Sequence, residues 1–207
     1  MPRGTGAFLS AGNSLKNGKG TRIIGVDPGL GTTGYGVIEM GPKGSILYCG
    51  SGVIRPRPSQ SFPQRIQQIF RGLSQQIEHF APTVMAVERP FFAKNVKSAM
   101  LLGQARGVAI LAAAEAMMEV QEFSPLEVKQ AVVGYGRATK EQVQAMMHAL
   151  LQIHGHLTAD AADALAVAIC LAHSFPWRQV LGAVASHQSF SQKARVRGKN
   201  FDLEDGR

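Results

Sequence analysis

TRIIGVDPGLGTTGYGVIE, Thr21 to Glu39, carries one glycine pattern that two different folds would use, and the choice between them decides the architecture. Gly29-Leu30-Gly31-Thr32-Thr33-Gly34 spells G-x-G-x-x-G directly after the apolar, β-branched run Thr21 to Val26, as a dinucleotide-binding turn would. That turn works only if a helix follows, because the helix N-terminus holds the pyrophosphate. Here Gly34 and Gly36 alternate with Tyr35 and Val37, and the next turn arrives by Gly41. No helix of even three turns fits, so the segment reads as a second strand. The phosphate loop of actin-like ATPases and sugar kinases also pairs a strand-ending Asp with Gly and Thr. Those folds close two domain halves on a nucleotide, and this sequence supplies one half.

Outward from this stretch, Gly34 to Glu39 and Ile46 to Val53 continue Thr21 to Val26 as an antiparallel meander, with turns at Gly29 to Gly31 and Gly41 to Gly44. Phe62, Ile66, Ile69, Phe70, Leu73, Ile77 and Phe80 recur at steps of three and four, the stripe of an amphipathic helix that Pro82 stops. Val84 to Val87 is a compact apolar strand ending at Glu88, with the composition of one buried on both faces. An Ala-rich helix follows over Val96 to Met118, and its Gly103 and Gly107, four apart, allow another layer or subunit to approach closely. Ser124-Pro125-Leu126-Glu127 opens the next helix with an N-cap, a first-position proline and a capping-box glutamate. Thr139 with Gln142 repeats the capping pattern before Val143 to Leu151, and a last helix runs from about Thr158 to Ala172. No internal repeat is visible. Three antiparallel strands, a helix, a buried strand and then helices alternating with short strands imply an α/β protein. The expected architecture is a mixed five-stranded sheet with helices on both faces, the order of the ribonuclease H-like fold.

With 207 residues, 45% of them hydrophobic, the chain fills one domain, placed at residues 21–177 between a disordered extension (1–20) and a flexible tail (178–207). The net charge of +8 points to a polyanionic partner. Residues 21–177 hold 13 Lys and Arg against 11 Asp and Glu, so most of the excess sits on the flanks and local clusters must decide. The extension, rich in Gly, Ser and Lys without acids, also has the composition of a faint transit peptide; disorder is the simpler reading. Cys49 and Cys170 lie in apolar stretches outside any metal-ligand spacing and read as reduced core residues. No uninterrupted apolar run approaches the roughly 18 residues of a membrane span. A cytoplasmic protein without a membrane partner is expected.

Four acids stand where charge needs an explanation. Asp27 ends an apolar strand, although Asp-Pro-Gly is also plain turn chemistry. Glu88 ends the most apolar strand, where an unpaired charge is expensive, unless it clears the sheet edge into solvent. Asp160 and Asp163, three apart in Asp-Ala-Ala-Asp-Ala-Leu-Ala, share one helix face made otherwise of Ala and Leu. One acid near a helix start would be explained by the helix dipole; two on an apolar face call for a docked cation. Clustered carboxylates become a stable site once divalent ions bind, and magnesium prefers such hard oxygen ligands. Two ions about 3.5–4 Å apart clamp an in-line phosphoryl displacement without a nucleophilic side chain. No Ser-His-Asp or Cys-His arrangement is apparent, and His154-Gly155-His156 reads as a loop. Phe91-Phe92 with Lys94, Asn95 and Lys97 interleaves aromatic and basic groups as single-strand-like DNA demands, one ring being expected in the core.

Asp27-Pro28-Gly29 with Gly34-Tyr35-Gly36, then Glu88-Arg89-Pro90-Phe91-Phe92-Ala93-Lys94-Asn95, Gly103-Gln104-Ala105-Arg106-Gly107, Val128-Lys129-Gln130 and Asp160 to Ala166 form an ordered set across residues 21–173. This set resembles the RuvC family. The resemblance implies a ribonuclease H-like nuclease acting on four-way (Holliday) DNA junctions in recombination and repair, with two Mg2+ ions per site and Mn2+ as a substitute. It implies that Asp27, Glu88, Asp160 and Asp163 are the metal-binding catalytic set. Lys129 and Lys140 match basic positions beside the scissile phosphate, Phe91 matches an aromatic that meets unstacked bases, and Lys94, Asn95, Lys97 and Arg106 are further expected DNA contacts. The RuvAB branch-migration complex is the implied partner, and a bacterial cytoplasm the implied setting.

Two symmetric nicks need two symmetric active sites, so a C2 homodimer is expected, with the Ala and Gly face of Val96 to Met118 as its core. A ribonuclease H-like nuclease acting on RNA and a non-catalytic junction-binding protein are the competing readings. Intact acids at all four positions argue against the second.

Overall fold

The computed structural model describes residues 20–41, 44–89 and 96–174. The elements run β1 (Thr21–Asp27), β2 (Thr33–Met40), β3 (Ile46–Ile54), α1 (Phe62–Phe80), β4 (Val84–Glu88), α2 (Val96–Glu115), β5 (Glu119–Phe123), α3 (Pro125–Val133) and α4 (Lys140–Leu151). A last helix, α5, covers 159–174. The five strands form one sheet in the order β3-β2-β1-β4-β5. β1, β2 and β3 pair antiparallel, whereas β4 is parallel to β1 and β5 parallel to β4. The mixed five-stranded α/β sheet is therefore as expected.

Residue alternation in the strands sorts the helices onto the two faces. Ile24, Val26, Val37 and Met85 point into a core completed by Ile69, Leu73 and Ile77 of α1 and by Ala105, Ala109 and Ala112 of α2. The opposite face meets α5, and it does so through glycines. A Cβ on Gly25 would lie 2.0 Å from the Ala164 carbonyl oxygen, one on Gly34 2.0 Å from that of Asp160, and one on Gly36 2.5 Å from Leu165 Cγ. Three glycines of β1 and β2 thus clear a bed for the backbone of α5. The G-x-G-x-x-G match owes its last residue to helix packing, and a strand, β2, follows where a dinucleotide-binding turn requires a helix.

Local signals explain most boundaries. Ser124 and Thr139 accept from the Glu127 and Gln142 amides while those side chains return to the cap residue, so both capping boxes form. α2 ends at Glu115, three residues before the expected Met118, because Met117 adopts φ 54° and the Met118 amide turns back to the Ala113 carbonyl. Cys170 is buried as expected, but Cys49 is only half-buried in β3, because β3 lies at the sheet edge. α2 is the one helix among the described residues that is long and apolar enough to cross a membrane by length and composition. Its Ala105, Ala109, Ala112 and Ala113 are buried in the core, and its Arg106 is ion-paired to Glu122 of β5.

Candidate active site

Parallel pairing brings the first two acids together. Val26 pairs with Val87, so the next residues, Asp27 and Glu88, end adjacent strands at the same level. Asp27 lies two residues beyond Gly25, on the α5 face of the sheet. In the antiparallel register Asp27 faces Gly34, the residue whose missing side chain admits the Asp160 backbone. The N-terminal end of α5 is thereby lowered onto Asp27, with Asp160 and Asp163 one turn apart. Thr158 caps this end, its hydroxyl accepting from the Ala161 amide at 3.4 Å and its carbonyl from the Ala162 amide at 2.9 Å.

The electrostatics record this convergence. The Asp27 carboxyl is pushed up to about 7, first by burial and then by repulsion from Asp163, Glu88 and Asp160. Burial, followed by repulsion from Asp163, also raises Glu88, while Lys140 and Lys129 oppose the rise. Lys140, the first residue of α4, donates from Nζ to Asp163 Oδ2 at 3.2 Å. Attraction to Asp163 is the main cause of its raised pKa, with Asp27 and Glu88 adding to it. Lys140, with Lys129 acting on Glu88, thus offsets part of the charge of the four acids.

Two further residues, not singled out from sequence, hold the loop after Asp27. The Thr33 hydroxyl donates to the Gly29 carbonyl at 2.8 Å and accepts from the Gly29 amide at 3.3 Å. Arg65 of α1 donates from Nη2 to the Leu30 carbonyl at 2.9 Å. Arg65 sits on the polar edge of the α1 stripe, where pattern reading sees only a solvated cation. On the other side of the site, Arg89 reaches Glu127 at 3.7 Å and its amide donates to the Phe123 carbonyl at 2.7 Å. These contacts tie the end of β4 to the start of α3, the helix that carries Lys129.

The remaining predicted residues separate into two groups. Phe91, Lys94 and Asn95 lie outside the described residues. Lys97 is exposed in the first turn of α2, and Arg106 is engaged by Glu122, tying α2 to β5. His154 and His156 are exposed in the connection before α5, as expected of a loop.

Among the described residues no three Asp, Glu, His or Cys side chains enclose a metal-sized space as they stand. The donor chemistry nevertheless fits a divalent cation. Four carboxylates lie at one end of the sheet, and burial, reinforced by repulsion from the other three acids, raises the Asp27 carboxyl to about 7. A hard divalent ion would remove that repulsion and replace the proton.

A family model described as "Crossover junction endodeoxyribonuclease RuvC" matches residues 23–171. The protein of that name from Dechloromonas aromatica is 50% identical over 165 residues, covering 80% of this chain and 90% of the relative. Its namesake from Syntrophotalea carbinolica is 50% identical over 161 residues, covering 77% of this chain and 99% of the relative. Among solved structures, "T. thermophilus RuvC in complex with Holliday junction substrate" superposes with a TM-score of 0.70 at 31% identity, covering 77% of this chain and 96% of that one. The chain belongs to the RuvC family of crossover junction endodeoxyribonucleases.

Proposed function

We propose that this protein is a structure-specific endonuclease that resolves four-way DNA junctions by paired symmetric nicks, with Asp27, Glu88, Asp160 and Asp163 as its divalent-metal ligands. The observation that carries the reading is the placement of the acids, with Asp27 and Glu88 ending adjacent parallel strands and the Asp160 end of α5 laid against Gly34 opposite Asp27; burial and the other three acids raise the Asp27 carboxyl accordingly. Such an arrangement is costly for the fold alone and is repaid when a cation arrives. Magnesium, as two ions with manganese as a substitute, would supply the activated water and the stabilisation of the leaving 3′ oxygen.

The chain's own groups do the positioning. Asp27 and Glu88 come from rigid strand ends and Asp160 and Asp163 from a capped helix, so the ligands start from fixed backbones. Lys140, once Asp163 is occupied, is free to turn its ammonium to the scissile phosphate, and Lys129 sits close enough to Glu88 to favour its anion. Thr33 and Arg65 fix the loop beside the site and give Asp27 a stable origin.

The nuclease unit is residues 21–177, and it works as a C2 homodimer in the bacterial cytoplasm, with the RuvAB complex as its partner by family resemblance. The exposed face of α2 supports the dimer. An added Cβ on Gly103 or Gly107 would meet nothing within 4 Å, and Met100 and Leu111 are exposed beside them. An apolar groove between α1 and α2 continues this face through Phe62, Ile66 and Val108.

The test is cleavage of a four-way junction, a linear duplex and a structured RNA, with and without magnesium, by the wild type and by Asp27→Asn, Glu88→Gln, Asp160→Asn and Asp163→Asn. Paired nicks in the junction alone, abolished in each variant while junction binding persists, are expected. Wild-type turnover in any two variants would sink the site assignment, and preferential cutting of RNA would replace the substrate.

A further inference from the structure

Between α3 and α4 the chain reads Gly134-Tyr135-Gly136-Arg137-Ala138-Thr139, and the structure holds both ends of it. Gly134 closes α3 with φ 88°, its amide donating to the Gln130 carbonyl. Gly136 lies so close to Leu126 that a Cβ there would sit 2.1 Å from Leu126 Cδ1. Ala138 is buried and Thr139 caps α4. The two residues left between these anchors, Tyr135 and Arg137, are exposed. Tyr135 is 47% exposed, and among the described residues neither its hydroxyl nor its ring has a partner. Arg137 forms no ion pair among the described residues. The six-residue segment contains no acid.

The loop is held at Gly134, Ala138 and Thr139, and Tyr135 and Arg137 are exposed between these points with no partner among the described residues. Its flanks also fix where it stands. Lys129 on α3 acts electrostatically on Glu88, and Lys140 at the start of α4 bonds Asp163. Three peptide units put Arg137 within about 11 Å of Lys140 between Cα atoms, one or two nucleotides along a strand whose phosphate meets Lys140. An aromatic face beside a cation is the chemistry that holds an unpaired base and its phosphate.

Resting on the proposed junction cleavage, we infer that Tyr135 and Arg137 form a DNA-binding contact on the nucleotides flanking the scissile phosphate. Tyr135 stacks on a base or sugar exposed by the open crossover, and Arg137 pairs with a backbone phosphate. The contact lies on the rim of the carboxylate site and is built from the connection between α3 and α4.

The experiment measures junction affinity by fluorescence anisotropy without magnesium, so that no strand is cut, together with thermal melting. 2-Aminopurine is placed in turn at each nucleotide beside the cut. Tyr135→Ala and Tyr135→Leu are expected to weaken binding about five-fold or more and to abolish the 2-aminopurine quench at one position. Tyr135→Phe should retain both. Arg137→Gln should lower the log–log salt slope by about one, and all four variants should melt close to wild type. Wild-type affinity in Tyr135→Leu with an unchanged salt slope in Arg137→Gln would overturn the proposal. So would weakened binding that only follows a lowered melting temperature. If the wild type binds linear duplex as well as it binds the junction, the functional reading fails; loss of affinity for both DNAs in Tyr135→Leu would still identify the loop as a DNA contact.

Discussion

The Lys140 ammonium bonds the Asp163 carboxylate at 3.2 Å, joining the first residue of α4 to the second turn of α5. The lysine is 78% exposed and the acid 24%. It therefore gives little stability as an ion pair, but it holds one of the proposed metal ligands. Lys140→Met is expected to tighten magnesium binding to the DNA-free protein by roughly two- to five-fold, since a competing cation is removed. Cleavage should slow roughly ten- to hundred-fold, because a charged hydrogen bond to the phosphate is lost. Calorimetric titration of the metal and single-turnover cleavage separate the two effects. Weaker metal binding in Lys140→Met would show that the lysine organises the acids and does not compete with the ion.

Asp27 makes the metal-free protein sensitive to pH in a definite direction. Its carboxyl is raised in the folded state to about 7, against an ordinary 3.8. The folded protein therefore holds the proton more tightly than the unfolded chain, and the associated stability is full below about pH 4 and lost as pH rises through 7. Without metal the melting temperature should fall across this window. Asp27→Asn should remove most of that fall, Glu88 keeping the rest, and at pH 8 it should be more stable than wild type by about 1 to 3 kcal/mol. Magnesium replaces the proton, so its stabilising effect should be larger at pH 8 than at pH 5.5. An equal gain at both values would place the metal away from Asp27.

How much of this was legible in the sequence depends on whether the cause was local. The capping boxes at Ser124 and Thr139 and the two acids of α5 are short-range patterns, and each appears where its residues indicate. A fifth strand was expected but not placed, because Glu119-Val120-Gln121-Glu122-Phe123 buries only Phe123 and its pairing with β4 across the intervening α2 makes it a strand. The end of α2 was overrun because Met117 and Met118 continue an apolar pattern through a residue that turns left-handed. The Lys140–Asp163 bond spans 23 positions, and Arg106 meets a glutamate 16 positions away; no periodicity carries such information. The strand glycines were visible, but their reason was not, since Gly34 is required by a helix 125 residues further on.

That reason gives a sharp test of how the acids are brought together. A Cβ on Gly34 would overlap the Asp160 carbonyl, which is backbone and cannot swing aside. Gly34→Ala should therefore lift the start of α5 away from Asp27, destabilising the protein by about 1 to 3 kcal/mol as overpacking does. Cleavage should fall far more than junction affinity. Gly31→Ala is the control, since its Cβ would meet nothing within 4 Å. If Gly34→Ala melts lower yet cleaves at the wild-type rate, the acids tolerate displacement of α5 and the bed of glycines serves packing alone.

The open face of α2 supports the last prediction. Four alanines of this helix are buried in the core, yet Met100 is 62% and Leu111 50% exposed. Gly103 and Gly107 open to space between them. A face of this kind lets two helix backbones approach, and in a C2 pair each residue meets its own copy or a near neighbour across the axis. Leu111→Glu would then bring like charges into a dry seam, where an uncompensated buried charge costs about 3 to 5 kcal/mol. The dimer dissociation constant should rise more than about a hundred-fold in sedimentation equilibrium. Core packing around Ile69 and Leu73 is untouched, so the melting temperature extrapolated to low protein concentration should match wild type. Leu111→Glu should cut junctions slowly and without pairing, leaving singly nicked product, because one site no longer brings its symmetric counterpart. A dimer that persists in Leu111→Glu, with paired nicks intact, would move the subunit interface off α2.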